Sequence, residues 1–161
     1  MNLLIIFAAK YLYLLIGLIA LAAFGLANRM VKAELIKLSI FAFPLSFVVA
    51  QILNQIILSP RPFIVDHLQP LIEASTDNGF PSDHTLLAMT IATVVFAYNK
   101  QIGSLLIVLS FFVGIARVLA HVHHGIDVAG SIGIASLATY VAYRYAVKKF
   151  TYKLPYLETY R

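Results

Sequence analysis

Three short segments set charged and imidazole side chains among apolar neighbours in a pattern that could do chemistry: "SPRPF" at 59–63, "FPSDHT" at 80–85 and "ARVLAHVHHGID" at 116–127. They contribute Arg61, Asp83, His84, Arg117, His121, His123, His124 and Asp127. Two arginines that converge on one pocket offer permanent charge and forked donors, a set suited to phosphate or diphosphate. Each arginine alone could equally anchor a helix at the headgroup level. Pro81 and Ser82 read as a helix start with Ser82 as N-cap, and the free N–H groups of that first turn would face an anion. His84 rides on the same turn. His123 and Asp127 are four apart, so a helical or near-helical turn would place them on one face. A carboxylate bonded to one imidazole nitrogen leaves the other free to attack or to take a proton. Arg117, His121 and His124 would share a different face if the preceding helix continued, with Gly125 ending that regularity. A zinc site of His121, His123, His124 and Asp127 competes with this reading. It is disfavoured because two arginines facing the same pocket would repel a cation.

The elements that position these groups follow from composition. The chain has 161 residues, 61% of them hydrophobic and 12% charged, with mean hydropathy +0.88. Soluble domains run about 45–50% apolar, so the excess points to lipid. With no cysteine, disulfides, thiolate metal sites and thiol catalysis are excluded. The basic pI of 9.5 does not imply nucleic acid, because the lysines and arginines sit between apolar runs. The first residues lack the charged start of a cleavable signal peptide.

The expected fold is all-α, a polytopic transmembrane helical bundle of about five spanning helices, or six if the N-terminal segment divides. The runs are 11–27 (extended by 2–9 across Lys10), 38–58 with Pro44 inside, 82–98, 102–118 and 126–147, each near the roughly 20 residues a bilayer requires. The whole chain, 1–161, reads as one membrane-embedded domain. Five spans put Arg29, Lys32, Lys37, Lys100, Arg144, Lys148, Lys149, Lys153 and Arg161 on one side, and Lys10, Arg61 and Arg117 on the other. The richer side is expected to be cytoplasmic, with the C-terminus there. Tyr140, Tyr143, Tyr145 and Tyr152 would form an inner aromatic belt, and Tyr11 and Tyr13 an outer one. The segment 59–80 and the turn around 121–127 then share the extracytoplasmic side, so their polar groups can meet.

In order and spacing the three segments resemble the signature of the type 2 phosphatidic acid phosphatase superfamily of membrane phosphatases, K-x6-R-P, P-S-G-H and S-R-x5-H-x3-D. The matching residues are Arg61–Pro62, Pro81–Ser82–Asp83–His84, and Arg117, His123 and Asp127. They lie within 54–133, about half the chain. Three positions depart: Asn54 stands where the pattern has lysine, Ala116 where it has serine, and Asp83 where it has glycine. "FPSDH" and "SPRPF" look like the bacitracin-resistance type of undecaprenyl-diphosphate phosphatase. The resemblance implies a cofactor-free, metal-independent hydrolysis of undecaprenyl diphosphate in two steps. His123 would be the nucleophile, Asp127 its orienter and His84 the proton donor and then the base. Arg61, Arg117, Ser82, Asp83 and Asn54 would form the phosphate-binding group, with Lys10 a further source of charge for the place Asn54 leaves neutral. The residues alone do not say which imidazole attacks. His121 and His124 are left as pocket lining. The implied partners are a lipid phosphate or diphosphate and membrane lipids, with no nucleic acid, and a homo-oligomer is compatible. The implied location is the cell membrane, with the site extracytoplasmic. Alternatives are a phosphatase for phosphatidic acid, phosphatidylglycerophosphate or a lipid A phosphate, and, in another class, a small membrane transporter or metal-binding protein.

Overall fold

The computed structural model describes residues 2–147, an all-helical bundle with no strand among them. Five long helices alternate in direction: α1 (Asn2–Leu26), α2 (Arg29–Ile56), then the one-turn α3 (Pro62–Val65), followed by α4 (Asp83–Tyr98), α5 (Lys100–Leu119) and α6 (Gly125–Val141), whose end widens into a π-helical stretch (Ala142–Val147). Helices α1, α2, α5 and α6 are long and apolar enough to cross a bilayer.

Two boundaries differ from the apolar runs. Helix α1 is continuous from Asn2 through Lys10. It keeps its hydrogen bonds within itself, so one exposed lysine costs it little. Helix α2 begins nine residues before its apolar run because Asn28 caps it, accepting from the Val31 N–H at 2.9 Å, and Glu34 and Lys37 pair at 2.8 Å on its exposed side. Capping and surface charge set that start, and neither appears in hydropathy.

Helix α4 is the central post. It packs against α1, α2, α5 and α6, and its 16 residues span only about 24 Å at 1.5 Å per residue. Enclosed by protein, it need not match the bilayer. Half of its buried side chains are small or polar: Thr85, Ala88, Thr90 and Ala92. Small residues let helices approach where lipid supplies no hydrophobic drive. Thr90 Oγ1 donates to the Leu86 carbonyl at 2.8 Å, and Thr93 and Thr139 join α4 to α6 at 2.8 Å. At Gly130 of α6 a Cβ would collide with the Phe80 ring, so glycine there admits the segment leading into α4. Leu18, Leu21, Phe47, Ile52, Phe112 and Leu137 are exposed on the outside, as a lipid-facing surface requires.

Because directions alternate, the start of α1, the end of α2, the start of α4, the end of α5 and the start of α6 share one end of the bundle. Arg29, Lys32, Lys100 and Arg144 belong to the opposite end, where Tyr98 and Tyr143 meet edge to face at 6.3 Å. Tyr140, Tyr143 and Tyr145 are exposed near that end. Lys148, Lys149, Lys153, Arg161 and Tyr152, counted with that side from sequence, lie outside the described residues.

Candidate active site

The loop between α2 and α4 is tied to the bundle by its own polar side chains. Asn78 Nδ2 donates to the Asn54 and Ile57 carbonyls at 2.6 and 2.7 Å, closing the last turn of α2. Its Oδ1 accepts from the Ser59 N–H at 2.7 Å, and Gly79 N–H donates to the Ser59 carbonyl at 2.8 Å. Asn54 Nδ2 donates to the Phe80 carbonyl at 2.6 Å. These bonds pin Arg61 and Gly79 to the end of α2.

His123 lies in the tight turn between α5 and α6, only 3% exposed. Helix α5 stops at Leu119 because His121 takes a left-handed backbone (φ 61°). The continued helix that would have aligned Arg117, His121 and His124 therefore does not form. His121 Nδ1 faces the Gln69 carbonyl at 3.2 Å and His124 Nε2 the Pro60 carbonyl at 3.0 Å. Both brace the loop backbone, and neither lines the pocket that holds His123. The three imidazoles of the turn thus part company.

His123 Nδ1 donates to the Gly79 carbonyl at 2.9 Å, with Asp127 Oδ2 at 3.5 Å. That bond assigns the proton to Nδ1 and leaves the Nε2 lone pair free. Nε2 lies 3.4 Å from Arg61 Nη1 and 3.3 Å from Arg117 Nη2. Burial, with both guanidiniums adding to it, holds the His123 pKa below its ordinary value, while the Asp127 carboxylate opposes the shift. A neutral imidazole with its lone pair between two fixed cations results.

Each arginine is held differently. Arg61 presents Nε and Nη2 to Asp77 Oδ1, at 3.2 and 2.8 Å, and Nη1 to the Val122 carbonyl at 3.1 Å. The Ser75 hydroxyl and the Arg61 guanidinium keep the Asp77 carboxyl below its usual pKa. Arg117 Nη1 reaches the Ala9 carbonyl at 3.4 Å, and its buried Nε has no partner. An unpaired donor on a buried guanidinium is costly. Asp127 is fully buried, with a hydrogen bond at each oxygen: Oδ1 accepts from Ser59 Oγ at 2.7 Å and Oδ2 from the His124 N–H at 2.8 Å. At Gly79 a Cβ would stand 2.9 Å from the Ser59 carbonyl and 3.1 Å from Asp127 Oδ2, so only glycine fits between them.

These groups open onto a cavity of about 400 Å³ lined by Arg61, Arg117, His123, His84, Asp83, Glu73, Ser75, Lys10, Tyr11 and Tyr13, among others. The Tyr13 ring stands edge-on to His84, centroids 4.6 Å apart. A concave pocket with buried guanidiniums and an unprotonated imidazole nitrogen is equipped to bind a phosphoryl group and to attack it. The PAP2 superfamily model matches residues 35–151, well over half the chain. This chain belongs to the PAP2 superfamily.

Its similarity to curated members runs through most of its length. It is 31% identical over 139 residues to "Bacitracin transport permease protein BcrC" of Bacillus licheniformis, covering 84% of this chain and 68% of that protein. It is 26% identical over 141 residues to "Undecaprenyl-diphosphatase BcrC" of Bacillus subtilis (strain 168), covering 88% and 72%. Among solved structures, Aquifex aeolicus LpxE superposes with a TM-score of 0.73 at 28% identity, covering 89% of this chain and 87% of that one. As a PAP2 member with these relatives, the chain is a multi-pass membrane protein and a lipid phosphatase.

Of the residues expected in the site, the fold brings Arg61, Asp83, His84, Arg117 and His123 to the pocket and sets Asp127 directly behind His123. Two others are placed elsewhere. Asn54 is not in the lining, because its amide is committed to the Phe80 carbonyl. Ser82 occupies the N-cap position of α4, but its side chain does not cap the helix. Fully buried, its hydroxyl accepts from Thr85 Oγ1 at 3.1 Å, and its carbonyl accepts from Ser131 Oγ at 2.9 Å. Tyr11 and Tyr13, expected in an outer belt, both line the pocket. Asp77, Ser75, Ser59 and Gly79 escaped the sequence reading because a polar loop has no periodicity. The one available signal was a run of small and acidic residues, "ASTDNG" at 74–79, directly before "FPSDH".

Proposed function

We propose that this PAP2 phosphatase hydrolyses undecaprenyl diphosphate to undecaprenyl phosphate and inorganic phosphate, at the extracytoplasmic face of the cell membrane. The observation that carries the chemistry is His123 Nε2, flanked by Arg61 Nη1 and Arg117 Nη2 at 3.4 and 3.3 Å, with Nδ1 committed to the Gly79 carbonyl. The substrate class is supported by the relatives whose names state bacitracin transport and undecaprenyl diphosphatase activity. The orientation is supported by the lysine and arginine bias toward the far end of the bundle.

In the first step His123 Nε2 attacks the terminal phosphorus as the bond from that phosphorus to the bridging oxygen breaks. The bridging oxygen departs with the electron pair as part of the lipid monophosphate, and His84 supplies a proton to it. The N–P bond leaves a phosphohistidine, whose positive ring charge Asp127 stabilises from the Nδ1 side. In the second step His84, now a base, takes a proton from water. The water oxygen bonds to phosphorus, the N–P bond breaks, and the pair returns to Nε2 as phosphate leaves. Arg61 and Arg117 offset charge on the phosphoryl oxygens throughout, the largest contribution expected in phosphoryl transfer. No step needs a metal.

The test is purified protein in liposomes, assayed on a long-chain prenyl diphosphate and on phosphatidic acid, with and without chelator. Preferred turnover of the diphosphate, unchanged by chelator, is the expected result. Preference for phosphatidic acid would overturn the substrate, and loss of activity with chelator would overturn the metal-free mechanism. A reporter joined after Arg161 should report from the cytoplasm, and an external signal would overturn the orientation.

A further inference from the structure

One wall of the cavity is helix α1, which carries none of the three motif segments. Its turn from Ala9 to Tyr13 touches the site twice. The Ala9 carbonyl accepts from Arg117 Nη1 at 3.4 Å, and the Tyr13 ring abuts His84 at 4.6 Å. Lys10 lies between these contacts, exposed, and lines the same cavity. Among the described residues it forms no ion pair, whereas Arg61 is bound to Asp77 at 2.8 Å. The cations are therefore graded. Two guanidiniums are buried around His123 Nε2, and one ammonium stands on the exposed α1 wall.

A diphosphate bound for attack by His123 must put its terminal phosphoryl group between Arg61 and Arg117. Its inner phosphate then points away from His123, toward the side from which the lipid chain leaves for the bilayer. Asp83 and Glu73 share the cavity lining, so a second phosphate would be repelled there unless a cation met it. We propose that Lys10 holds the inner, departing phosphate and so gives the pocket a preference for lipid diphosphates over lipid monophosphates. This rests on the reading of the site as a phosphatase that attacks through His123, and it extends to any lipid diphosphate.

The chemistry of the two substrate types separates the roles. When the P–O bond of a diphosphate breaks, the electron pair goes to an oxygen of a phosphate monoester, an anion that a fixed ammonium stabilises directly. When a monophosphate is cleaved, the pair goes to an alcohol oxygen, which has no charged group near Lys10 and depends on the proton from His84. Loss of the Lys10 charge is therefore felt mainly on diphosphates.

The experiment compares wild type, Lys10→Ala and Lys10→Arg in liposomes, using farnesyl diphosphate and farnesyl monophosphate, so that only the second phosphate differs. Lys10→Ala should lower kcat/KM about 10- to 100-fold on the diphosphate and less than about 3-fold on the monophosphate, with Lys10→Arg recovering most of the loss. Pyrophosphate should also inhibit Lys10→Ala more weakly than wild type, while inhibition by phosphate is unchanged. Equal losses on the two substrates would make Lys10 a structural or membrane-anchoring residue and overturn the proposal, as would an undiminished rate on the diphosphate. If wild type prefers phosphatidic acid to prenyl diphosphate, the undecaprenyl reading fails while the Lys10 comparison is still decided by the farnesyl pair. If wild type cleaves no diphosphate, both fall.

Discussion

The bundle has two ion pairs of the same length and of very different consequence. At one end Lys37 meets Glu34 at 2.8 Å, with the two side chains 45% and 23% exposed. At the other Arg61 meets Asp77 at 2.8 Å, with the arginine 8% exposed and the aspartate 67%. The first pair sits one turn apart on a helix and lies in high dielectric, where such contacts are worth roughly 0–1 kcal/mol. The second fixes a buried guanidinium whose remaining nitrogen faces His123 Nε2 at 3.4 Å. Distance alone therefore says little. What differs is the number of further groups each cation orients and the water removed from around it.

The contrast is sharpest at His123. His123→Ala should lower turnover by roughly 10³-fold or more, as removal of a nucleophile does, while the protein still inserts and melts as wild type. Wild-type phosphate release from that variant would end the mechanism.

Next in size is the loss of a buried cation. Arg117→Ala should lower kcat by roughly 10²- to 10³-fold, measured on the same lipid. A change confined to KM would mean that Arg117 serves binding and not the transition state.

A smaller effect should follow from Asp127→Asn, because the Gly79 carbonyl is the nearer acceptor for His123 Nδ1, at 2.9 Å against 3.5 Å. A loss of about 10- to 100-fold is expected. The pH profile is the finer readout. His123 must be neutral to attack, and burial lowers its pKa, so activity should persist below the ordinary histidine value of about 6.5 and fall as pH drops through the lowered value. The Asp127 charge works against that lowering, so removing it should move the acid limb further down. A limb that moves up would show that Asp127 does not interact with the imidazole as placed.

The smallest effect belongs to the far end. Lys37→Ala should leave kcat/KM within about 2-fold and stability within about 1 kcal/mol. A large loss of activity there would erase the distinction between the two ends.

Much of the helical plan was legible because bilayer thickness constrains run length, and the apolar runs of α5 and α6 end within a few residues of their helices. The start of α2 was not, since Asn28 and the Glu34–Lys37 pair decide it. Within the site, the pairing of His123 with Asp127 was legible from its four-residue spacing. The link from Arg117 to His123 followed only from the family resemblance, since spacing alone grouped Arg117 with His121 and His124. The positions of Asn54 and Ser82 were not legible, because a side chain that can face a phosphate can also face a carbonyl. Asn54 turns to Phe80, and Ser82 is buried against Thr85.

By itself the sequence determined a membrane-spanning helical chain, an alternation that brings three polar segments to one end, and a residue set suited to phosphate. Those properties depend on composition and on contacts between near neighbours. Only the tertiary structure decided that His121 and His124 leave the pocket and that the Gly79 carbonyl sets the His123 proton. It also brought Lys10 and Tyr13 to the cavity wall from a helix without a motif. Such choices depend on which backbone groups a fold brings within about 3 Å of one another, and residues far apart in the chain carry no local pattern that records them.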